Sequence, residues 1–270
     1  AESVLTEDGC YFWFSNRTQN GRTVDTSRIP GGYGVYLLPL VESQWSVWAE
    51  GMLPDPDGLR VFYPVDPAAE ILHAGLSKDE TRLLLYTREA GKYMLRVIAL
   101  SSGELLQELT IGTCGAEDEW LNIFELPDFI CLRQSDSRLY VLTECEDGQY
   151  QIALQCPFTG AEDLWFGTSD ANTMVFDGTR LAIAGPNTRY AAYDGGTVYK
   201  QLSDGAEVTL YPNEDLYSYD SCGLYLLVFD ASGLTYRGVY YSSLEDTLED
   251  PRNRSYSQTI LPNELQLSWH

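Results

Sequence analysis

The chain has 270 residues, 44% hydrophobic and 13% aromatic with 19 tyrosines, which is too apolar for disorder and ample for one large core or two small ones. Its 17 basic and 40 acidic side chains leave a formal charge of −23, a field that repels phosphate backbones and anionic lipid and argues against nucleic-acid and membrane-surface binding. With two histidines, no C-x-x-C pair, no phosphate-cradling glycine loop and no G-x-S-x-G elbow, the sequence excludes His-rich metal centres and the common nucleotide and hydrolase chemistries.

Apolar residues alternate with period 2 from the start, and turn dipeptides separate the alternating runs, so the chain predicts strands and hairpins throughout. Cys10-Tyr11-Phe12-Trp13-Phe14 follows an Asp8-Gly9 turn signal, and three strands are expected near 10–15, 33–40 and 46–52. Asn16-Arg17-Thr18 matches the N-glycosylation pattern, as Asn253-Arg254-Ser255 does later. Asp55-Pro56-Asp57-Gly58 opens like a calcium loop, but Pro56 is out of place and Leu59 stands where a ligand is needed, so a turn is expected. The acidic chain leaves calcium in a central channel open, but no spacing supports it, and no cofactor is expected.

The next stretch divides into four strands at 70–77, 82–89, 92–100 and 105–112. His73 falls in the middle of the first, where an interior histidine with satisfied bonds is expected rather than a catalytic one.

A repeat then emerges. Gly115-Ala116-Glu117-Asp118-Glu119-Trp120 returns as Gly160-Ala161-Glu162-Asp163-Leu164-Trp165 and, in part, as Gly205-Ala206-Glu207, at a constant spacing of 45 residues. Such a period, filled with four short strands, predicts units near 70–114, 115–159, 160–204 and 205–249, with a remaining unit drawn from 1–69 and the tail. Units of this kind expose apolar faces that only neighbouring units cover, which predicts a closed ring. The expectation is one all-β domain over 1–270, a β-propeller of five, or alternatively six, four-stranded antiparallel blades. Ring closure is expected from residues 264–269 pairing with the strand system around 10–15, which would remove an exposed edge.

Six cysteines are present: Cys10, Cys114, Cys131, Cys145, Cys156 and Cys222. Asp147-Gly148 reads as a two-residue hairpin turn that sets Cys145 opposite Tyr150 and Cys156 opposite Leu139, so Cys145 and Cys156 are not expected to pair.

The segments Ser77-Lys78-Asp79-Glu80-Thr81-Arg82-Leu83, Leu95 through Glu104, and Asp177-Gly178-Thr179-Arg180-Leu181-Ala182-Ile183 carry a resemblance. They resemble blades of WD-repeat-like and YVTN-like propellers, and the chain resembles extracytoplasmic propeller lipoproteins of Gram-positive bacteria. The Trp-Asp dipeptide and Gly-His pair of WD repeats are absent. The resemblance implies a cell-envelope setting; the abrupt start at Ala1-Glu2-Ser3 fits a removed leader, and no apolar run is long enough to cross a bilayer.

The functional expectation is a non-catalytic extracytoplasmic binding or scaffold propeller for a protein or glycan, monomeric, with the ectodomain of an anchored envelope protein as one form it would take. The alternative is a five-bladed glycoside hydrolase with channel carboxylates. Glu117, Asp118, Trp120, Glu162, Asp163 and Trp165 are the candidate ligand-binding residues, an aromatic and acidic set suited to sugars or cationic peptides. Their return at the unit period equally suits packing between units, the favoured role.

Overall fold

The computed structural model describes residues 2–16, 25, 31–46, 49–115, 120–135, 137–158, 173–187, 198–201, 205, 207–212, 223–240 and 265–269. These residues form strands and turns, with a single 3-10 turn at Pro56–Gly58 and no α-helix among them. No helix among the described residues is long and apolar enough to cross a membrane. The chain divides into two compact units, one of Ala1–Glu119 with Glu144–Gln151, the other of Trp120–Thr143 with Ile152–His270.

The first unit opens with β1 (Glu2–Leu5), β2 (Gly9–Trp13), β3 (Gly34–Ser46), β4 (Ala49–Pro54) and β5 (Arg60–Pro64). The sheet runs antiparallel in the order β1-β2-β3, and β3 is long enough to serve three partners. Its start pairs with β2 and β5, and its far half folds against β4 as a hairpin arm. A Cβ on Gly34 would lie 2.2 Å from the Tyr63 carbonyl oxygen, so only glycine lets β5 approach there. The Asp57 N–H donates to the Asp55 side chain at 3.1 Å, which commits this would-be calcium segment to a capped turn.

The second sheet is a plain meander of β6 (Glu70–Leu76), β7 (Arg82–Glu89), β8 (Lys92–Ala99) and β9 (Leu105–Thr113), within a residue of the strands expected from sequence. Glu89 faces Lys92 across a two-residue turn in which Ala90 and Gly91 both take positive φ, 46° and 73°, the twist that tight hairpins favour. Leu83 and Leu85 of β7 join a core with Tyr11, Val35 and Ile71. Leu84 and Tyr86, pointing the other way, are equally buried. Each such leucine contributes roughly 1.5–3 kcal/mol by leaving water.

In the second unit, β10 (Leu121–Glu125), β11 (Ile130–Gln134), β12 (Arg138–Glu144) and β13 (Tyr150–Pro157) form another meander, whose hairpin tip, Glu144–Gln151, belongs to the first unit. That tip corrects the expected turn. The Cys145 N–H donates to the Gln149 carbonyl at 2.7 Å, and the Gly148 N–H donates to the Cys145 carbonyl at 2.9 Å. The loop therefore has three residues, with Gly148 at φ 78° as its left-handed member, and Cys145 faces Gln149 rather than Tyr150. None of the five described cysteines forms a disulfide, Cys145 and Cys156 included.

The remaining strands are β14 (Thr173–Phe176), β15 (Leu181–Asn187), β16 (Val198–Gln201), β17 (Glu207–Pro212), β18 (Gly223–Asp230), β19 (Gly233–Tyr240) and β20 (Leu265–Trp269). They depart from the 45-residue frame. One sheet runs β14-β15-β18-β19, while β16 pairs with β17 outside it and β17 pairs in turn with β20. Among the described residues, strands from 160–204 and from 205–249 share the sheet β14-β15-β18-β19.

The expected closure is also corrected. β20 pairs with β17, Leu210 facing Leu267, and not with the strand system around 10–15. The physical reason lies in the first sheet. β2 is flanked by β1 on one edge and β3 on the other, so both of its ladders are taken. The chain supplies its own edge strand at Glu2–Leu5, a short run absent from the expected strands.

Candidate functional site

Trp120 is the one candidate residue among the six that lies in the described structure; Glu117, Asp118, Glu162, Asp163 and Trp165 fall outside it. It stands one residue ahead of β10, opposite Ser135 at the end of β11. The Ser135 N–H donates to the Trp120 carbonyl at 2.9 Å and the Trp120 N–H donates to Ser135 Oγ at 3.0 Å. Ser135 holds φ at 39°, a left-handed value that a non-glycine residue adopts at some cost.

Ladder geometry then sets the side chains. Arg133 pairs with Asn122, two residues from Trp120 on the same face, so indole and guanidinium are diagonal neighbours. The Arg133 guanidinium carbon lies 4.9 Å from the Trp120 ring centroid and 4.8 Å from that of Phe158. Arg133 Nε donates to the Ser135 carbonyl at 3.0 Å, fixing the plane of the stack. Phe158 is itself buried and meets Phe229 of the core with centroids 5.9 Å apart. A ladder thus runs from core to solvent: Phe229, Phe158, Arg133, Trp120. Its last rung is 42% exposed, so the indole is not the buried packing residue that its repetition suggests. Each cation–π contact of this kind is worth about 0.5–1 kcal/mol at exposed sites and more when desolvated.

Sequence reasoning missed Arg133, Ser135 and Phe158. A single arginine in Ile130-Cys131-Leu132-Arg133-Gln134, an otherwise apolar run ending beside a serine, was the available signal.

One further expectation is corrected, and one sequence motif finds a structural role. His73 is not interior: its side chain is 35% exposed, its Nδ1 lies 3.5 Å from Glu2 Oε2, and its ring sits between Trp13 and Tyr86 at centroid distances of 6.0 and 5.9 Å. It bridges β6 to the edge strand β1, a wet pair of little energetic weight. Asn16 is buried, and its Nδ2 donates to the Pro67 and Ala69 carbonyls, each at 2.8 Å. The amide that glycosylation needs is committed inside the fold; Asn253 lies outside the described residues.

The first unit concentrates its charge in arginine-centred ties. Arg82 donates to Glu144 at 2.6 Å, to Asp79 at 3.3 Å and to the Gly148 carbonyl. Tyr150 O–H reaches the other Glu144 oxygen at 3.2 Å, and Gln107 exchanges two 2.7 Å bonds with the Tyr150 backbone. These bonds clamp the 144–151 tip onto the second sheet. The Ser77 hydroxyl, with Thr81 and Arg82, holds the Asp79 carboxyl well below the usual range, whereas burial and then Glu144 push the Tyr150 phenol up. Glu70 pairs with Arg88, and Glu89 and Glu108 both engage Arg96. In the second unit the buried Cys156 thiol is pushed up to about 11 by burial and the Asp230 charge, and burial raises Cys131 as well. Neither thiol is a nucleophile at neutral pH. Among the described residues no group of three or more His, Cys, Asp or Glu side chains could hold a metal ion.

No protein-family model matches the chain. No curated protein matches it. Among solved structures it is similar to a functionally unknown protein from Desulfotomaculum acetoxidans, at 10% identity and a TM-score of 0.33 over 76% of this chain and 82% of that one. It is similar to the Swd1 β-propeller domain of Myceliophteria thermophila, at 10% identity and a TM-score of 0.31 over 76% of this chain and 56% of that one. An uncharacterised protein from Listeria monocytogenes aligns at 12% identity and a TM-score of 0.28 over 87% of this chain and 63% of that one. Likenesses this faint transfer neither fold nor activity.

Proposed function

We propose that this chain is a non-catalytic β-propeller module that binds a protein or a glycan through its surface, as part of an extracytoplasmic or envelope protein. The propeller reading is supported by the meanders β6–β9 and β10–β13, each of four antiparallel strands in sequence order. It is supported further by β7, β12 and β15, in which consecutive residues are buried on both faces. A strand buried on both faces needs a layer on either side, the condition of a blade within a ring. Five sheets among the described residues favour five blades over six.

The observation that carries the binding role is Trp120. A large aromatic face kept in water while its other side is braced by Arg133 does little for folding and suits recognition. Several described acidic side chains, by contrast, are drawn into arginine pairs, Glu70–Arg88 and Asp177–Arg180 among them. No cofactor enters this reading, and the module acts as a monomer.

Incubation with arabinan, xylan and mixed plant glycans, with product analysis beside a binding measurement, tests the proposal. Retention of glycan or of an envelope protein without turnover is expected. Sustained hydrolysis at enzyme-like rates would replace it with the glycoside hydrolase reading.

A further inference from the structure

We infer that the outer face of Trp120 is a platform for one ring of a neutral pyranose glycan, with Arg133 as the positioning residue behind it; this rests on the binding role proposed above. Rigidity is the first argument. The indole is braced from below by a guanidinium that is itself sandwiched against Phe158 and tied through Nε to the Ser135 carbonyl. Its backbone is pinned on both sides by Ser135, which is held in a left-handed conformation to do so. A surface prepared before the ligand arrives loses little side-chain freedom on binding.

Charge selects the ligand class. One face of the indole π system already carries a guanidinium 4.9 Å from the ring centre. A second cation on the opposite face would meet the guanidinium through the ring, so the braced indole offers a lysine or arginine side chain less than a bare indole would. An anionic sugar must approach a chain of net charge −23, which opposes it at long range. A neutral sugar avoids both penalties and lays its C–H face on the indole, leaving its hydroxyl rim in water.

Surroundings decide between a glycan and a protein. In the second unit the exposed large hydrophobic residues, among those described, are Trp120 and Leu234. The described neighbours along the β11–β12 turn are Ser135, Ser137 and Arg138. A stable protein interface covers about 800 Å² per partner around an apolar centre. Among the described residues the indole stands alone in a polar rim, which matches the footprint of a single sugar ring instead.

The test uses the full chain with hexasaccharides of β-glucan, xylan, mannan and galactan as neutral probes. Polygalacturonate serves as the anionic probe, oligolysine as the cationic one and a proline-rich peptide as the protein-like one. Calorimetry gives affinity, and the indole N–H resonance of Trp120, assigned with Trp120→Phe, reports the site. At least one neutral hexasaccharide should bind and move that resonance. Trp120→Ala should weaken it about tenfold or more, Trp120→Phe should retain most of it, and both should melt like the parent. Arg133→Lys keeps the charge but loses the planar stack, so it should shift the Trp120 resonance and weaken sugar binding with an unchanged melting temperature. If no neutral sugar moves the Trp120 resonance, or if oligolysine or the proline-rich peptide is the probe that Trp120→Ala abolishes, the inference is overturned. Sugar binding that persists in Trp120→Ala would overturn the platform and leave the broader binding role standing. Turnover of the sugars would overturn that role itself.

Discussion

Trp120 and Trp269 lie in the same unit, and each carries an arginine over its ring, Arg133 at 4.9 Å and Arg180 at 4.5 Å. The two stacks nonetheless serve opposite ends. Arg180 is bound to Asp177 at 2.7 Å, with both side chains mostly shielded from water. Trp269 rides on β20 and donates its indole N–H to the Val175 carbonyl at 3.3 Å, tying the last strand to β14. Trp120 has its ring braced from the core and its free side turned to solvent. The same arginine–indole pair is thus a fastener where a strand must be held, and a pedestal where a face must be offered.

The largest effect that would break this comparison is on stability. Trp269→Ala removes an indole, its hydrogen bond and the partner of Arg180, and loosens β20 from β14. A loss of about 2–4 kcal/mol in urea unfolding is expected, below the ceiling for fully buried aromatic truncations because Trp269 is half-buried. Trp120→Ala should cost less than about 1 kcal/mol. Equal losses would show that Trp120 is a packing residue after all.

A smaller effect sharpens the comparison. Double-mutant cycles on Arg180 with Trp269 and on Arg133 with Trp120 isolate each pair from its surroundings. A coupling of about 1 kcal/mol or more is expected for the shielded Arg180 pair, and about 0.5 kcal/mol for the half-exposed Arg133 pair. A reversed order would mean that the Arg133 brace is itself a folding element.

The two tryptophans also show what the sequence makes legible. Local pattern sufficed where neighbours in sequence are neighbours in space: the spans at 82–89 and 92–100 follow from alternation and turn residues, and the structure keeps them to within a residue. Trp120 was visible because its hexapeptide returns 45 residues later, yet that spacing predicted packing, and only burial could show the exposed ring. The partner of β20 was not legible. Several edges compete for a final strand, and the choice turned on Glu2–Leu5 occupying the edge of β2. That run is short and mostly exposed, so it carries almost no alternation to read. Likewise, nothing local marks β16 and β17 as pairing outside the sheet of β14 and β15, because strand pairing across such distances is settled by tertiary fit.

The smallest effect separates the two stacks by pH. Burial pushes the Asp177 carboxyl up, but the Thr179 and Arg180 N–H groups, followed by the Arg180 side chain and the Thr179 hydroxyl, outweigh it, and its pKa lies below the ordinary value. A carboxyl with a depressed folded pKa stabilises the fold above its unfolded pKa, about 3.9, and loses that contribution as pH falls through the lower folded value. Asp177→Asn keeps an oxygen to accept the turn N–H groups while removing the charge that Arg180 meets. The stability gap between parent and Asp177→Asn should therefore be full at pH 7, unchanged at pH 5, and shrinking below about pH 4. The Arg133–Trp120 stack has no carboxylate among its own members, and the double-mutant cycle isolates it from its neighbours, so its coupling should be the same at pH 7 and pH 3. Urea unfolding at low salt across the three pH values measures both. A gap that widened on acidification would show that Asp177 is not held as a carboxylate by Arg180, and the fastener would then rest on the indole alone.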